Sequence, residues 1–430
     1  MGRPVAFVHV NVIPMDEERV LPDQTVVVRD GLVERVEASQ PPPADAEVID
    51  GNGWYLMPGL TDMHVHIEGA DELPLYLANG VTTVRNMWGS TGLKRLLGAP
   101  DHLKLRDAAR PLSPAIYTAG PIMEGAPPTS PLMPVFRSPA RAAAAVERQA
   151  AAGYDFIKVY DNLSPAVYAA VLVAARRVKL PVVGHVPKQV PLADVLTGGQ
   201  RTIEHLTGYI DPDAAAGLAG EALLQAARLT REAGVWNVPT LGIYQKLVPP
   251  ERVGELEQQP GMEFVPPRLR RIWRLFWPMM RRGITYSGAD YAERIGALYR
   301  QVTRTLHAEG ARLCLGTDAP NPYVVPGFSV HDELRYLIEA GLSPFEALAA
   351  ATRNAAECLG RQAEFGTVAP GLRADLLLLT ANPLTDVAHA ARRAGVMLRG
   401  RWLPEAELQA MLKGGRRRGD LHDSGGRADR

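Results

Sequence analysis

Two histidines, His64 and His66, stand two residues apart in the stretch GLTDMHVHIEG, behind an apolar run. Side chains of an extended strand alternate between faces, so residues i and i+2 project the same way and both imidazoles leave the strand end on one side. Convergent imidazoles are half of a metal site. The plainer reading is a polar strand end with two solvated or hydrogen-bonded histidines, and partners elsewhere in the chain decide between them. Candidates recur at comparable places: Lys158 in FIKVY, His185 ending PVVGH, His205 ending RTIEH and Asp318 ending LCLGTD. Singly, each has a structural explanation: an ion-paired lysine, satisfied core histidines, an aspartate capping the next helix. Together, at matching ends of successive apolar runs, they favour a metal centre.

The elements that would position them alternate. From residue 59 on, the apolar runs GLTDMHVH, TTVRNMWG, AIYTAGPIM, FIKVY, PVVGHVP, RTIEHLTGY, WNVPTLGIY and ARLCLGTDAP are separated by Ala- and Leu-rich stretches. One of these, SPAVYAAVLVAARRVKL, opens with Ser164 as N-cap and Pro165 as first helical residue. Strands separated by helices make parallel βα units, and eight of them in about 300 residues predict a (β/α)8 TIM barrel with its chemistry at the C-terminal strand ends. A doubly wound sheet is the alternative. Residues 4–58 and 365–402 read instead as short alternating strands with turns at Asp30-Gly31, Gly371 and Gly400. A small composite β-sandwich built from both termini accounts for them. The expected domains are residues 1–58 and 364–403 for the two parts of the sandwich, 59–363 for the barrel, and 404–430 for a charged, disordered tail.

The chain has 430 residues, 46% of them hydrophobic, with 47 basic and 47 acidic side chains, so it can bury a large core and carries no net charge. That balance argues against a nucleic-acid or anionic-membrane partner. No apolar run approaches membrane-span length, and MGRPVAFVHVNVIP lacks the apolar core of a secretory signal, so a cytoplasmic location is expected. Two cysteines, Cys314 and Cys358, are too few for a disulfide framework or a cysteine-based zinc site and read as buried thiols.

The motifs PGLTDMHVH, FIKVY, GHVP, IEHL and GTDAP, in this order, resemble the metal-dependent amidohydrolase superfamily, and within it the imidazolonepropionase and prolidase-like amidohydrolases. HDELRYLIEAGLSPFEALAAATRNAAECLG followed by GTVAPGLRADLLLL extends the likeness over nearly the whole chain. The resemblance implies two divalent metal ions, zinc in most relatives. It places His64, His66 and Asp318 on the more buried ion and His185 and His205 on the more exposed one. Lys158, N6-carboxylated, would bridge them. A free ammonium beside two dications would be repelled, whereas a carbamate is an anionic bridge. The implied activity is hydrolysis of an amide bond in a small molecule, peptide-like, N-acyl amino acid or cyclic, through a metal-bridging hydroxide, with Asp318 carrying the proton to the leaving amine. A mononuclear deaminase or lactonase-type hydrolase on the same barrel is the alternative, with Lys158 as contrary evidence, and a noncatalytic scaffold is the third reading. Similar enzymes commonly self-associate, so a homo-oligomer is expected.

Substrate contacts are less defined. Tyr244 suits a donor to a substrate oxygen and Arg85 a carboxylate clamp, but a rim tyrosine and an internally paired arginine fit equally well. Asn86 stands where many similar sequences carry Asp, which removes a charge. His331 reads as a first-turn helix residue more than a pocket residue. Trp273, Phe276 and Trp277 share one helix face, as core, pocket wall or subunit contact, and the proline-rich loop MEGAPPTSPLMPVF is a candidate lid.

Overall fold

The structure, a computed structural model, describes residues 2–108, 112–247, 252–280 and 291–413, and for 276–280 the backbone alone. Five strands lead the chain, β1 (Val5–Val12), β2 (Leu21–Arg29), β3 (Leu32–Ala38), β4 (Glu47–Asp50) and β5 (Tyr55–Pro58). The β2–β3 hairpin turns at Asp30 and Gly31, with φ of 50° and 83°, the double left-handed turn that the Asp-Gly pair predicts.

Three consecutive strands follow, β6 (Leu60–Val65), β7 (Val81–Asn86) and β8 (Ala115–Thr118), then β9 (Ile157–Val159), β10 (Val182–Gly184) and β11 (Thr202–Glu204). A two-residue hairpin, β12 (Ile210–Asp211) and β13 (Ala216–Gly217), precedes β14 (Trp236–Val238) and β15 (Arg312–Leu313). All eight apolar runs singled out in the sequence contain a strand. Strands β6 to β8 form one parallel sheet; β9, β10, β11, β14 and β15 form another. Both pairs of sheet edges touch: parallel bridges join Ala119 to Phe156 and Met123 to Val159 at one seam, and Val65 to Ala319 at the other. Strand order follows chain order without reversal, which a doubly wound sheet would require. Every residue of β6 and β7 is buried, as expected of parallel strands covered on both faces.

Two of the helices begin at side-chain caps, the first of them expected from the sequence. Ser164 accepts from Val167 N ahead of Pro165–Arg177, and Ser343 and Glu346 form a reciprocal capping box ahead of Pro344–Ala350.

Strands β16 (Leu376–Leu379), β17 (Arg393–Leu398) and β18 (Arg401–Pro404) return to the N-terminal strands. Strand β5 pairs parallel with β1 and antiparallel with β16, so both chain ends share one continuous eight-stranded sheet. This corrects the expectation of two packed sheets. Curvature brings Phe7 of β1 and Trp402 of β18 into edge-to-face contact at 5.2 Å, over a core that includes Val26, Leu56, Leu376 and Met397. The described part of the expected tail is not extended chain. Residues 405–413 are helical with Leu408 and Leu412 buried, while 414–430 lie outside the described residues.

Gly184, the last residue of β10, has φ 129°, and a Cβ there would sit 2.2 Å from Val159 O. Close strand approach and a backbone that side chains rarely adopt both require glycine next to His185. Gly184→Ala is expected to destabilise the fold by about 3 kcal/mol, read by denaturant unfolding.

Candidate active site and metal centre

His64 and His66 leave β6, Lys158 lies within β9, His185 follows β10, His205 follows β11, and Asp318 lies five residues beyond β15. All therefore come from the same end of the parallel strands. Ligand atoms of His64, His205 and Asp318 lie within 4.8 Å of one another. Asp318 Oδ1 is 2.8 Å from His66 Nε2 and 3.4 Å from His64 Nε2, and its Oδ2 is 3.7 Å from His205 Nε2. The His185 and His205 rings meet at 5.0 Å. Lys158 is 1% exposed, and its charge bears on His64, His205 and Asp318.

Three imidazoles are held by Nδ1. That of His64 lies 2.7 Å from Glu204 Oε2, that of His185 2.6 Å from Asp161 Oδ1, and that of His205 2.7 Å from Thr240 Oγ1. The Thr240 hydroxyl donates to Pro239 O, so it accepts from His205 and leaves Nε2 free of a proton. Nε2 of His64 and of His185, and Nδ1 of His66, are buried with no hydrogen-bond partner. Orphaned imidazole nitrogens gathered around a carboxylate fit a divalent cation, whose ligand histidines characteristically donate their other nitrogen to a carboxylate or oxygen.

Electrostatics support the same donor set. Burial, followed by the Lys158 charge, pushes His64 well below its ordinary pKa; burial does the same to His205 against the pull of Asp318, so both rings are neutral. Burial pushes the Asp318 carboxyl up, but His205, His66 and Lys158 outweigh it and hold the group below the usual value, ionised. Burial brings Lys158 down to about 8 although Glu204 and Asp318 oppose it, so a sizeable neutral-amine fraction exists near neutrality.

The strand ends carry backbone that other residues avoid. His205, Thr240 and Asp318 have φ of 56°, 52° and 60°. Such left-handed conformations cost energy without glycine and persist where the surroundings over-determine them. Asp62 supplies part of that determination. Its Oδ1 accepts from His64 N and Thr317 N and its Oδ2 from Thr317 Oγ1, while Asp318 N donates to His64 O, which locks β6 to the loop after β15.

Among the substrate-contact candidates, Arg85 is corrected. It is fully buried and donates to Met63 O at 2.6 Å, to Glu204 Oε1 at 2.8 Å and to Thr202 Oγ1 at 3.3 Å, so its guanidinium is committed inside the strands rather than open to a carboxylate. Tyr244 lies in the short helix Leu241–Gln245, stacked on Tyr299 at 3.6 Å, with Asp318 among its charged neighbours and its phenol pushed up by burial. It keeps its proton and can donate. Tyr160 lies against His185 with ring centres 3.9 Å apart and planes tilted by 31°, and Trp88 meets His66 at 6.0 Å. Asn86 accepts from Ile67 N and donates to Thr118 Oγ1, a pair of roles that an ionised Asp could not fill. His331 sits in the first turn of Ser329–Glu339 with Arg393 Nη1 3.3 Å from its Nε2; burial, then Arg393, lowers it to about 3. Trp273 is buried and donates to Pro320 O, two residues from Asp318; the Phe276 and Trp277 side chains lie outside the described residues. The proline-rich loop is pinned at its base, where Glu124 accepts from Gly125 N, Asn162 N and Thr129.

Glu204, Asp161, Thr240 and Asp62 were not singled out in the sequence. The signal available was Glu204 beside His205 in RTIEH, Asp62 two residues before His64 in TDMHVH, and Asp161 directly after FIKVY.

The sequence model described as "Amidohydrolase family" matches residues 55–403. The adenine deaminase of Moorella thermoacetica is 24% identical over 371 residues, covering 82% of this chain and 50% of that protein. The chain thus spans about half the length of the first curated relatives it matches. Among solved structures, a bottromycin amidohydrolase superposes with a TM-score of 0.77 at 28% identity, covering 97% of this chain and 91% of that one. A putative prolidase from Bifidobacterium longum gives 0.72 at 25%, covering 96% and 99%. No helix among the described residues is long and apolar enough to cross a membrane.

Glu333 accepts from Leu241 N and Gly242 N at 2.7 Å each and so caps the helix that carries Tyr244; burial raises its pKa to about 8, against those two hydrogen bonds. A carboxyl whose folded pKa lies above its unfolded value binds its proton more tightly when folded, so its contribution to stability falls as pH rises from about 4.5 to 8. Gln matches the protonated acid. The melting temperature of Glu333→Gln relative to the parent is expected to rise steadily over that window; a constant difference from pH 5 to 9 contradicts the assignment.

Proposed function

The chain belongs to the amidohydrolase family, and we propose that it hydrolyses an amide bond of a small molecule at the His64, His66, Lys158, His185, His205 and Asp318 cluster. The observation that carries this reading is the set of buried imidazole nitrogens left unpartnered around an ionised aspartate while Nδ1 of three rings is tied down. We read the two parallel sheets, bridged at both seams, as one (β/α)8 barrel over residues 59–363, with 1–58 and 364–403 as a composite β domain.

His64, His66 and Asp318 would hold one divalent ion and His185 and His205 another, zinc in both, with Lys158 as an N6-carboxylated bridge. Ions held there supply Lewis-acid polarisation of a carbonyl and acidify water toward neutral pH. The chain's own residues do the rest. Asp318, ionised beside the neutral rings of His64 and His205, accepts a proton on its carboxylate and returns it to the departing amine. Tyr244 donates from its phenol to a substrate oxygen. The nearly closed surroundings, with Asp318 only 5% exposed, limit competing water. The buried neutral amine of Lys158 is the form that adds carbon dioxide, which supports its carboxylation.

Bottromycin amidohydrolase and the putative prolidase support an amide substrate, as a peptide-like bond, an N-acyl amino acid or a cyclic amide. A cytoplasmic location and a homo-oligomeric state complete the reading. The likeness to adenine deaminase favours one competing activity, deamination with a single ion.

The test loads the purified full chain with zinc in bicarbonate buffer, counts metal, and assays dipeptides, N-acyl amino acids, lactams, lactones and adenine. The reading expects two zinc ions per chain and turnover of an amide; one ion with ammonia released from adenine supports the deaminase instead. Asp318→Asn should retain zinc yet lose activity by about 10²- to 10⁴-fold. Lys158→Met should lower the zinc count, and a parental count in that variant would refute the bridge.

A further inference from the structure

Arg85 and Glu204 form a buried pair that touches the metal cluster through one ring. Arg85 enters from β7 and Glu204 from β11, strands that are not neighbours, so the pair crosses the interior. Neither residue is exposed. Each Glu204 oxygen has a distinct task. Oε1 accepts from Arg85 Nη2 at 2.8 Å and from the Thr202 hydroxyl, while Oε2 faces His64 Nδ1 at 2.7 Å. Arg85 Nη1 donates to Thr202 Oγ1, which turns that hydroxyl's own proton toward Glu204. Arg85 Nε donates to Met63 O, the carbonyl directly before His64.

We propose that Arg85 is a positioning residue: by clamping Glu204 Oε1 and Met63 O together, it fixes both the ring orientation and the Nδ1–H tautomer of His64. The planar guanidinium is suited to this because its donors are rigidly spaced, one to a carboxylate and one to the backbone of the ligand strand. Without Arg85, Glu204 would be an uncompensated buried carboxylate, free to turn toward Lys158 or to compete for a cation. With it, Glu204 is committed as an acceptor and His64 Nε2 is the nitrogen that faces Asp318 at 3.4 Å. The arginine acts one residue removed from the ligand and makes no contact with substrate. This rests on the proposed metal-dependent reading of the site.

The test measures zinc affinity by chelator competition on the full chain. Arg85→Met combined with Glu204→Leu removes both charges together, so no lone charge is buried, and is expected to weaken the tightest zinc by about 10- to 100-fold while the metal-free melting temperature stays close to the parent's. Arg85→Met with Glu204→Gln, which restores an acceptor without charge, should recover part of that loss. A folded Arg85→Met/Glu204→Leu chain with parental zinc affinity overturns the proposal. Parental protein that binds no zinc refutes the metal-dependent reading itself, a separate outcome. Should the double variants fail to fold, ¹⁵N-histidine spectra of the unmodified, metal-free chain decide: a His64 ring protonated on Nδ1 alone supports the proposal, and one protonated on Nε2 sinks it.

Discussion

An imidazole has two nitrogens, and a ring becomes a directed donor only when one of them is tied down. Glu204, Asp161 and Thr240 do this for His64, His185 and His205, each through Nδ1 at 2.6 to 2.7 Å. Every later property of the site depends on it. A ring free to flip would find a partner for both nitrogens, and the orphaned Nε2 atoms would no longer converge. The parallel strands matter because they bring each histidine and its partner from different parts of the chain: β6 and β11 for His64, the loops after β9 and β10 for His185, and those after β11 and β14 for His205. No local segment could hold both members of any pair, which is why the site and the strand arrangement stand or fall together.

Burial then does chemical work on groups so held. Neutral imidazoles, an ionised aspartate and a lysine whose ammonium is disfavoured are what desolvation yields when opposite charges are rationed. Asp318 escapes neutralisation because His205, His66 and Lys158 surround it, whereas Glu204, the carboxylate that bears most on Lys158, is already taken up by Arg85, Thr202 and His64. A lysine in that position gains from becoming an anion-bearing ligand. The proposed carboxylation is therefore an answer to a local electrostatic problem as well as a means of binding metal.

How much of this the sequence discloses differs by residue. The eight parallel strands were legible because each is a short apolar run between helical stretches, and Asp30-Gly31 encodes its own turn. The histidines of the candidate metal site were legible because polar rings at the ends of apolar strands are conspicuous. Arg85 was not, since in TTVRNMWG the strand phase puts it inward without saying what it meets; its partner Glu204 is 119 residues away. The single curved sheet was also hidden: the choice between one sheet and two rests on β5 pairing with both β1 and β16, a register that alternation alone does not specify. The helix at 405–413 was obscured by its surroundings, because two buried leucines between Glu405 and the arginines at 416–418 leave little periodic signal.

The seam between β6 and the loop after β15 shows what the fold contributes beyond bringing residues together. These segments are the two ends of the parallel series, and their contact depends on Asp62 bonding His64 N and Thr317, and on Asp318 N bonding His64 O. One carboxylate thus registers two of the proposed ligand residues against each other at the place where the strand order would otherwise be open. The same loop carries the left-handed Asp318, whose backbone would relax in a free peptide. Trp273 closes over it by bonding Pro320 O, tying a helix from the long connection after β14 to the residue pair beside the aspartate. Strain at Asp318 persists because the seam, the buried Asp62 and this helix all constrain one loop, and the carboxylate is aimed at three imidazoles as a result.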